Sequence, residues 1–163
     1  MDTDDSYSNE MLSDFVMFSF LVQDIVRLVP MDRVLGTMVQ LRCGISTGGL
    51  VSGVTGKVTP KFCIFGDAVN IAIRLEKLAS TDFLHVSNKF AEYLDKYSLL
   101  SELSSMYTLE KRSSRKDLDT TEDTYWLKKG PMLDLKTRYS HCYKKVSDIA
   151  SSSEKYAGYH HEQ

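Results

Sequence analysis

Asn70 and Arg74 stand four residues apart in the stretch Phe62-Cys63-Ile64-Phe65-Gly66-Asp67-Ala68-Val69-Asn70-Ile71-Ala72-Ile73-Arg74. The stretch reads as a short buried strand, a glycine turn and a helix, so the amide and the guanidinium share one helix face. An amide and a guanidinium side by side near a helix start suit a ribose and a phosphate. Cys63, between Phe62 and Ile64, is by composition a small buried hydrophobe, and as a weak thiol donor it also suits the carbonyl edge of a base. Taken singly, Asn70 reads equally as a polar group on a helix face and Arg74 as a surface ion-pairing residue.

Other chemistry is excluded by spacing. The glycine-rich stretch 48–57 ends in Gly56-Lys57, but Val51 stands where a P-loop needs its first glycine and Val58 replaces the Ser/Thr that would hold Mg²⁺. Tight turns and close backbone packing account for those glycines. His85, His141, His160 and His161 lack metal-ligand spacing to cysteine or acid partners, so no metal ligand is assigned within this chain. His85 lies in a strand and reads as structural. No Ser-His-Asp arrangement can be argued.

The chain of 163 residues fits one domain with tails. A net charge of -2 gives no basis for binding nucleic acid or an anionic membrane. The three cysteines, Cys43, Cys63 and Cys142, are odd in number and far apart, which suggests no disulfide framework and a reducing, cytoplasmic setting.

The positioning elements follow from periodicity. Residues 1–8 read as a polar, solvated leader without the basic start and apolar run of a signal peptide. Residues 9–29 carry Leu12, Phe15 or Val16, Phe18, Val22, Ile25 and Val29 at helical spacing, with Ser8 or Asn9 as cap and Pro30 as stop. Asp14, Asp24 and Arg27 interrupt that run, so a helix packed on a sheet is expected and no membrane span. Residues 31–38 are a linker. Val39, Leu41, Cys43 and Ile45 alternate with polar or small residues as a half-buried strand, and residues 50–54 form a second strand, giving an expected hairpin about Thr47-Gly48-Gly49. After the helix that follows Gly66, residues 83–86 read as a strand. Ser87 then caps a helix over 88–97 with Phe90 and Leu94 inward. Strands are expected at 106–110 and 124–127, separated by a charged loop at 111–123. Residues 131–163 read as a polar, disordered tail. Irregular alternation plus a hairpin predicts an α+β fold, a mixed or antiparallel sheet covered by helices on one face.

Taken together, Gly53-Val54-Thr55-Gly56, then the run from Pro60 to Asn70, then Arg74 and Glu76, resemble the signature of class III nucleotidyl cyclases. Leu41-Arg42-Cys43-Gly44-Ile45-Ser46-Thr47-Gly48 looks like the strand that family places just before it, and Leu84-His85-Val86-Ser87 like the strand after. Thr124-Tyr125-Trp126-Leu127 is similar to the closing strand of receptor-type guanylate cyclases. The resemblance covers residues 9–130. It implies a ferredoxin-like βαββαβ core and an in-line attack of the ribose 3′-hydroxyl on the α-phosphate of GTP, releasing pyrophosphate and forming cyclic GMP. It implies that Asn70 orients the ribose and Arg74 stabilises α-phosphate charge as catalytic residues. It also implies that Cys63 and Phe65 bind the substrate, with Cys at position 63 favouring guanine where adenylate cyclases usually carry Asp. Asp67 matches the receptor type better than the soluble type.

The resemblance also implies two Mg²⁺ or Mn²⁺ ions held by two aspartates, on a first strand and on a hairpin ahead of the long helix. Sequence for those elements, and for the Glu that pairs with Cys63, is missing here. Asp24-Ile25-Val26 reads as helix surface rather than as the first metal motif. Lys61 stands for the usual Arg, Ile73 for a Ser, and Thr55 for an aliphatic residue. Asp117, Asp119, Glu122 and Asp123 occupy the region of a triphosphate-binding Lys, where like charge opposes nucleotide binding. The expected protein is thus the C-terminal part of a guanylate cyclase catalytic domain, inactive alone, in a homodimer or heterodimer with another cyclase domain that brings the aspartates. If the gene product is longer, it is expected to be the intracellular part of a membrane receptor. A catalytically inactive cyclase-like dimerisation or regulatory module is the alternative, and a generic ferredoxin-like binding domain a further one.

Overall fold

A computed structural model describes residues 3–30, 38–98, 105–112, 122–131 and 133–157. The chain divides into two compact units, residues 42–130 and residues 1–41 with 131–163. Residues 31–37 of the expected linker (31–38), residues 113–121 of the charged loop and the terminal His160 and His161 lie outside the described residues.

The unit of residues 42–130 holds a four-stranded mixed sheet and a separate two-stranded hairpin. In chain order its elements are β1 (Cys43–Ile45), β2 (Val51–Thr55), β3 (Lys61–Phe65), α2 (Asp67–Lys77), β4 (Leu84–Ser87), α3 (Asn88–Ser98), β5 (Tyr107–Arg112) and β6 (Thr124–Lys129). The sheet order is β1-β4-β6-β5, with β1 parallel to β4 and the other pairs antiparallel. This is the expected α+β class with a mixed sheet and helices packed on it.

One expected pairing is overturned. Residues 39–45 and 50–54 do not form a hairpin: β2 pairs with β3 instead, Val51 opposite Phe65 and Thr55 opposite Lys61. Gly48 and Gly49 carry the chain past the start of α2 rather than back along β1, with Gly48 against Ala68. The parallel β1–β4 pair then needs a crossover, which the hairpin and α2 supply.

The helices also cover both faces of the sheet, not one. Gly44, His85 and Trp126 are in register across β1, β4 and β6, and α2 lies on their face. Tyr107, opposite Lys129 on the alternate face, sends its hydroxyl to the Leu94 carbonyl of α3 at 3.5 Å. Leu84, Val86, Leu94 and Leu127 are wholly buried, so the apolar core lies on the α3 side. The α2 side is closed by something less usual. A Cβ at Gly44 would overlap the backbone of Ala72 and Glu76, so only glycine lets α2 sit this close to β1. The wholly buried His85 reaches the Leu75 carbonyl through Nδ1 at 2.8 Å. Because a carbonyl only accepts, Nδ1 carries the proton and the neutral ring's Nε2 accepts from Thr124 Oγ1 at 3.0 Å. At the open edge Arg42 pairs with Glu76 at 3.0 Å.

Ser87 caps α3 as expected, accepting from the Phe90 amide at 3.3 Å. Phe90 and Leu94 face inward, joined by Ala91.

The other unit contains α1 (Thr3–Val26), α4 (Leu135–Arg138) and α5 (Ser140–Ala157). The helix expected from residue 9 begins at Thr3, so neither Ser8 nor Asn9 caps it; no Pro or Gly interrupts residues 3–26, and polarity alone does not stop a helix. Its buried face is Leu12, Val16, Met17, Phe20 and Leu21, while Phe15 and Phe18 point outward. The expected disordered tail instead carries two helices. Asp134 caps α4 by accepting from the Thr137 amide at 3.1 Å, and Tyr143 of α5 donates to Asp24 of α1 at 3.1 Å. Periodicity was masked there by lysines and serines that a helix tolerates on its wet side. Among the described residues no helix is long and apolar enough to cross a membrane.

Two outcomes are expected. Gly44→Ala should destabilise the 42–130 unit by about 1–3 kcal/mol, because the new methyl meets backbone that cannot rotate away; urea unfolding checks this. Burial, and next the Arg112 charge, push the His85 imidazole below the ordinary histidine range, against the opposing pull of the Leu75 carbonyl. The unfolded chain therefore binds the proton more tightly, and stability should be full above about pH 6.5 and fall by up to about 1.4 kcal/mol per pH unit below it. Melting temperatures from pH 7.5 to 5 should show that slope, and His85→Gln should flatten it.

Candidate active site

The four residues singled out by their chemistry fall on two adjoining elements. Cys63 and Phe65 lie on β3, two residues apart, so both side chains share one face of the hairpin with Val51, Thr55 and Lys61. Cys63 is half-buried and meets the Thr55 hydroxyl at 3.4 Å, an exchangeable thiol–hydroxyl contact of a kind that a carbonyl acceptor could displace. Phe65 is 58% exposed.

The turn from β3 into α2 is set by Gly66. Its φ of 146° is open to glycine alone, and a Cβ there would press on the Gly49 carbonyl. The Gly66 carbonyl accepts from the amides of Val69 and Asn70 at 3.1 and 3.2 Å, starting the helix. Ala68 and Leu75 form its buried side. The Asn70 and Arg74 side chains therefore face away from the sheet, both exposed, and neither side chain makes a hydrogen bond or ion pair among the described residues.

One detail differs from the expectation of a pair near a helix start. Arg74 lies in the last turn of α2, where the helix dipole favours a cation rather than an anion. Any hold on a phosphate there comes from the guanidinium's own charge and its five donors. Among the described residues no hydrogen bond joins Cys63 or Phe65 to Asn70 or Arg74. The structure places the two pairs on successive elements and leaves all four side chains accessible in part.

The hairpin is apolar on both faces. Val51 is 72% exposed and Phe65 shares its side, while Val54 and Phe62, 68% and 67% exposed, lie on the other with Ile64. Leu50, Val58 and Ile73 are exposed as well. Exposed apolar side chains gathered on one hairpin are the kind of surface that suits an interaction face.

Among the described residues no group of three His, Cys, Asp or Glu side chains could hold a metal ion. Asp24, the nearest in sequence to a metal motif, is hydrogen-bonded to Tyr143. In the acidic region, Asp123 is ion-paired with Lys111 at 2.6 Å and holds that ammonium's pKa up. Asp117 and Asp119 lie outside the described residues.

What the sequence reading missed is the support beneath α2: Arg42, Gly44 and His85. A lone glycine inside an alternating strand was the available signal, since it marks a close backbone approach. His85 was assigned to a structural role, which its burial bears out, but its link to Leu75, the neighbour of Arg74, is a tertiary fact.

Human retinal guanylyl cyclase 2 is 40% identical over 101 residues, covering 60% of this chain and 8% of that protein. Receptor-type guanylate cyclase gcy-13 of Caenorhabditis elegans is 40% identical over 74 residues, 45% of this chain and 7% of that protein. The chain thus spans under a tenth of the length of these relatives. The solved guanylate cyclase domain of RhGC from Catenaria anguillulae, in complex with GTP, superposes with a TM-score of 0.57 at 20% identity, covering 72% of this chain and 60% of that one. The profile of the adenylate and guanylate cyclase catalytic domain matches residues 4–129, and this chain belongs to that family.

Proposed function

We propose that this chain supplies one half of a guanylate cyclase active site and acts only with a second cyclase catalytic domain, converting GTP to 3′,5′-cyclic GMP and pyrophosphate in the cytoplasm. The observation that carries this reading is the exposed, unpartnered pair Asn70 and Arg74 on one face of α2. An amide and a guanidinium held rigidly and left without protein partners are ready for a ligand's ribose and phosphate.

In this reading the Asn70 amide orients the ribose so that its 3′-oxygen lines up with the α-phosphorus. The Arg74 guanidinium bonds the α-phosphate oxygens as negative charge gathers there, and pyrophosphate leaves. The Cys63 thiol exchanges its Thr55 partner for the guanine carbonyl edge, and Phe65 lends apolar surface to the base. Mg²⁺ or Mn²⁺ would be held by the partner domain's aspartates, since the described residues here have no set that fits them. The exposed apolar hairpin fits the same picture: docking on a second cyclase domain, in a homodimer or heterodimer, would take Val51, Val54, Phe62 and Ile64 out of water.

The test mixes the chain with a guanylate cyclase domain that keeps its aspartates but has lost its own Asn and Arg, and measures cyclic GMP from GTP and Mn²⁺. Neither component should act alone, and the mixture should. Arg74→Ala should lower that activity by about a thousandfold or more. Cyclic GMP made by this chain alone would overturn the dependence on a partner. A mixture indifferent to Arg74→Ala would make the chain an inactive dimerisation or regulatory module, the reading favoured by the acids near its last strand. Separately, Cys63→Asp should shift preference from GTP toward ATP by roughly tenfold or more, read as the ratio of kcat/KM values.

A further inference from the structure

We propose that His85 is a positioning residue for the nucleotide site: through the Leu75 carbonyl it sets the roll of the last turn of α2, and with it the aim of Arg74. The inference rests on the half-site reading above.

The ring is held on every side. His85 is wholly buried, Nδ1 donates to Leu75 O at 2.8 Å, and Nε2 accepts from Thr124 Oγ1 at 3.0 Å, with Arg112 Nη1 at 3.4 Å. Trp126 lies against it with ring centroids 4.5 Å apart. Thr124 and Trp126 belong to β6 and Arg112 to β5, so the imidazole refers α2 to two strands that α2 does not itself cover.

The carbonyl it grips is well chosen for this. Leu75 follows Arg74 directly, and its oxygen also accepts the Leu78 amide at 3.2 Å, so it closes the last turn of the helix. The other anchors cannot do the same work. Gly44 sets how near α2 comes to β1 but makes no directional bond. Arg42 reaches Glu76 and the Lys77 carbonyl from an exposed edge, where such pairs hold little. A purely structural filler between Leu84 and Val86 would not need two ring nitrogens each satisfied by a different element. A reacting group displaced by about 1 Å loses about a hundredfold in rate, so the roll of this turn matters to Arg74.

Three variants separate positioning from stability. His85→Asn keeps an amide N–H where Nδ1 stands; His85→Gln puts its amide where Nε2 stands and loses the donor to Leu75; Thr124→Val removes only the Nε2 partner. Each is mixed with the aspartate-bearing cyclase domain, and kcat and KM for GTP are measured beside melting temperature and amide exchange at Leu78 and Ala79. All three should lower the melting temperature. Only His85→Gln should cut kcat, by about thirtyfold with KM little changed, and speed exchange at those two amides by roughly tenfold. His85→Asn and Thr124→Val should keep kcat within about threefold of the unmodified chain. A kcat that falls in step with melting temperature across all three variants would overturn the proposal. Should the unmodified mixture make no cyclic GMP, the half-site reading fails, and exchange alone decides the tie. Faster exchange in His85→Gln but not His85→Asn upholds it, and equal exchange in both refutes it.

Discussion

The close seating of α2 on β1 at Gly44 is the constraint from which the rest of this structure follows. Removing one side chain lets two backbones touch, and that contact brings the Leu75 carbonyl within reach of a histidine on the next strand. With Ala68 and Leu75 committed to the sheet, Asn70 and Arg74 have no direction left but outward. A bulkier residue at position 44 would lift the helix and part the buried hydrogen bonds behind it. A buried carbonyl or imidazole left without a partner is costly, so the arrangement is held together or lost as a unit.

The two faces of the sheet are stabilised differently. On the α3 side, Leu84, Val86, Leu94 and Leu127 form an ordinary apolar core, each contributing about 1.5–3 kcal/mol by leaving water. On the α2 side a polar network of His85, Thr124 and Arg112 packs around Trp126. Apolar packing tolerates small sliding, whereas directional bonds do not. The helix that carries Asn70 and Arg74 is thus fastened by the less forgiving kind of contact. The β2–β3 hairpin is the opposite case. It has no core of its own and shows apolar side chains on both faces, and a two-stranded ribbon is marginal in water without something to pack on. Rigid α2 and uncovered hairpin are what a half-site would need: one element holds geometry, the other recognises a partner.

Local chemistry was readable wherever a single residue type was decisive. Ser87 ahead of Asn88 announced a cap, the β-prone run at 124–127 announced a strand, and the spacing of Asn70 and Arg74 placed them on one helix face. Pairing was not readable. Residues 39–45 and 50–54 alternate as well as any hairpin, and only the competing match of β2 to β3 and of β1 to β4 decides against it. In α1, Phe15 and Phe18 are as apolar as Val16 and Phe20, so a helix hydrophobic on several sides does not reveal its inner face. In the C-terminal segment the polar side chains concealed α5, whose Tyr143 is hydrogen-bonded to Asp24 of α1.

The sequence by itself determined the chemistry available: an amide, a guanidinium, a thiol and a phenyl ring at fixed spacings, in a run of elements that resembles the nucleotidyl cyclases. Those are properties of residue type and local period, which survive without a fold. The tertiary structure alone decided that Arg74 sits in the last turn of α2, that the hairpin is bare on both faces, and that His85 holds the carbonyl next to Arg74. These depend on which strands pair and how closely backbones approach, and such contacts join residues distant in the chain whose types do not single them out.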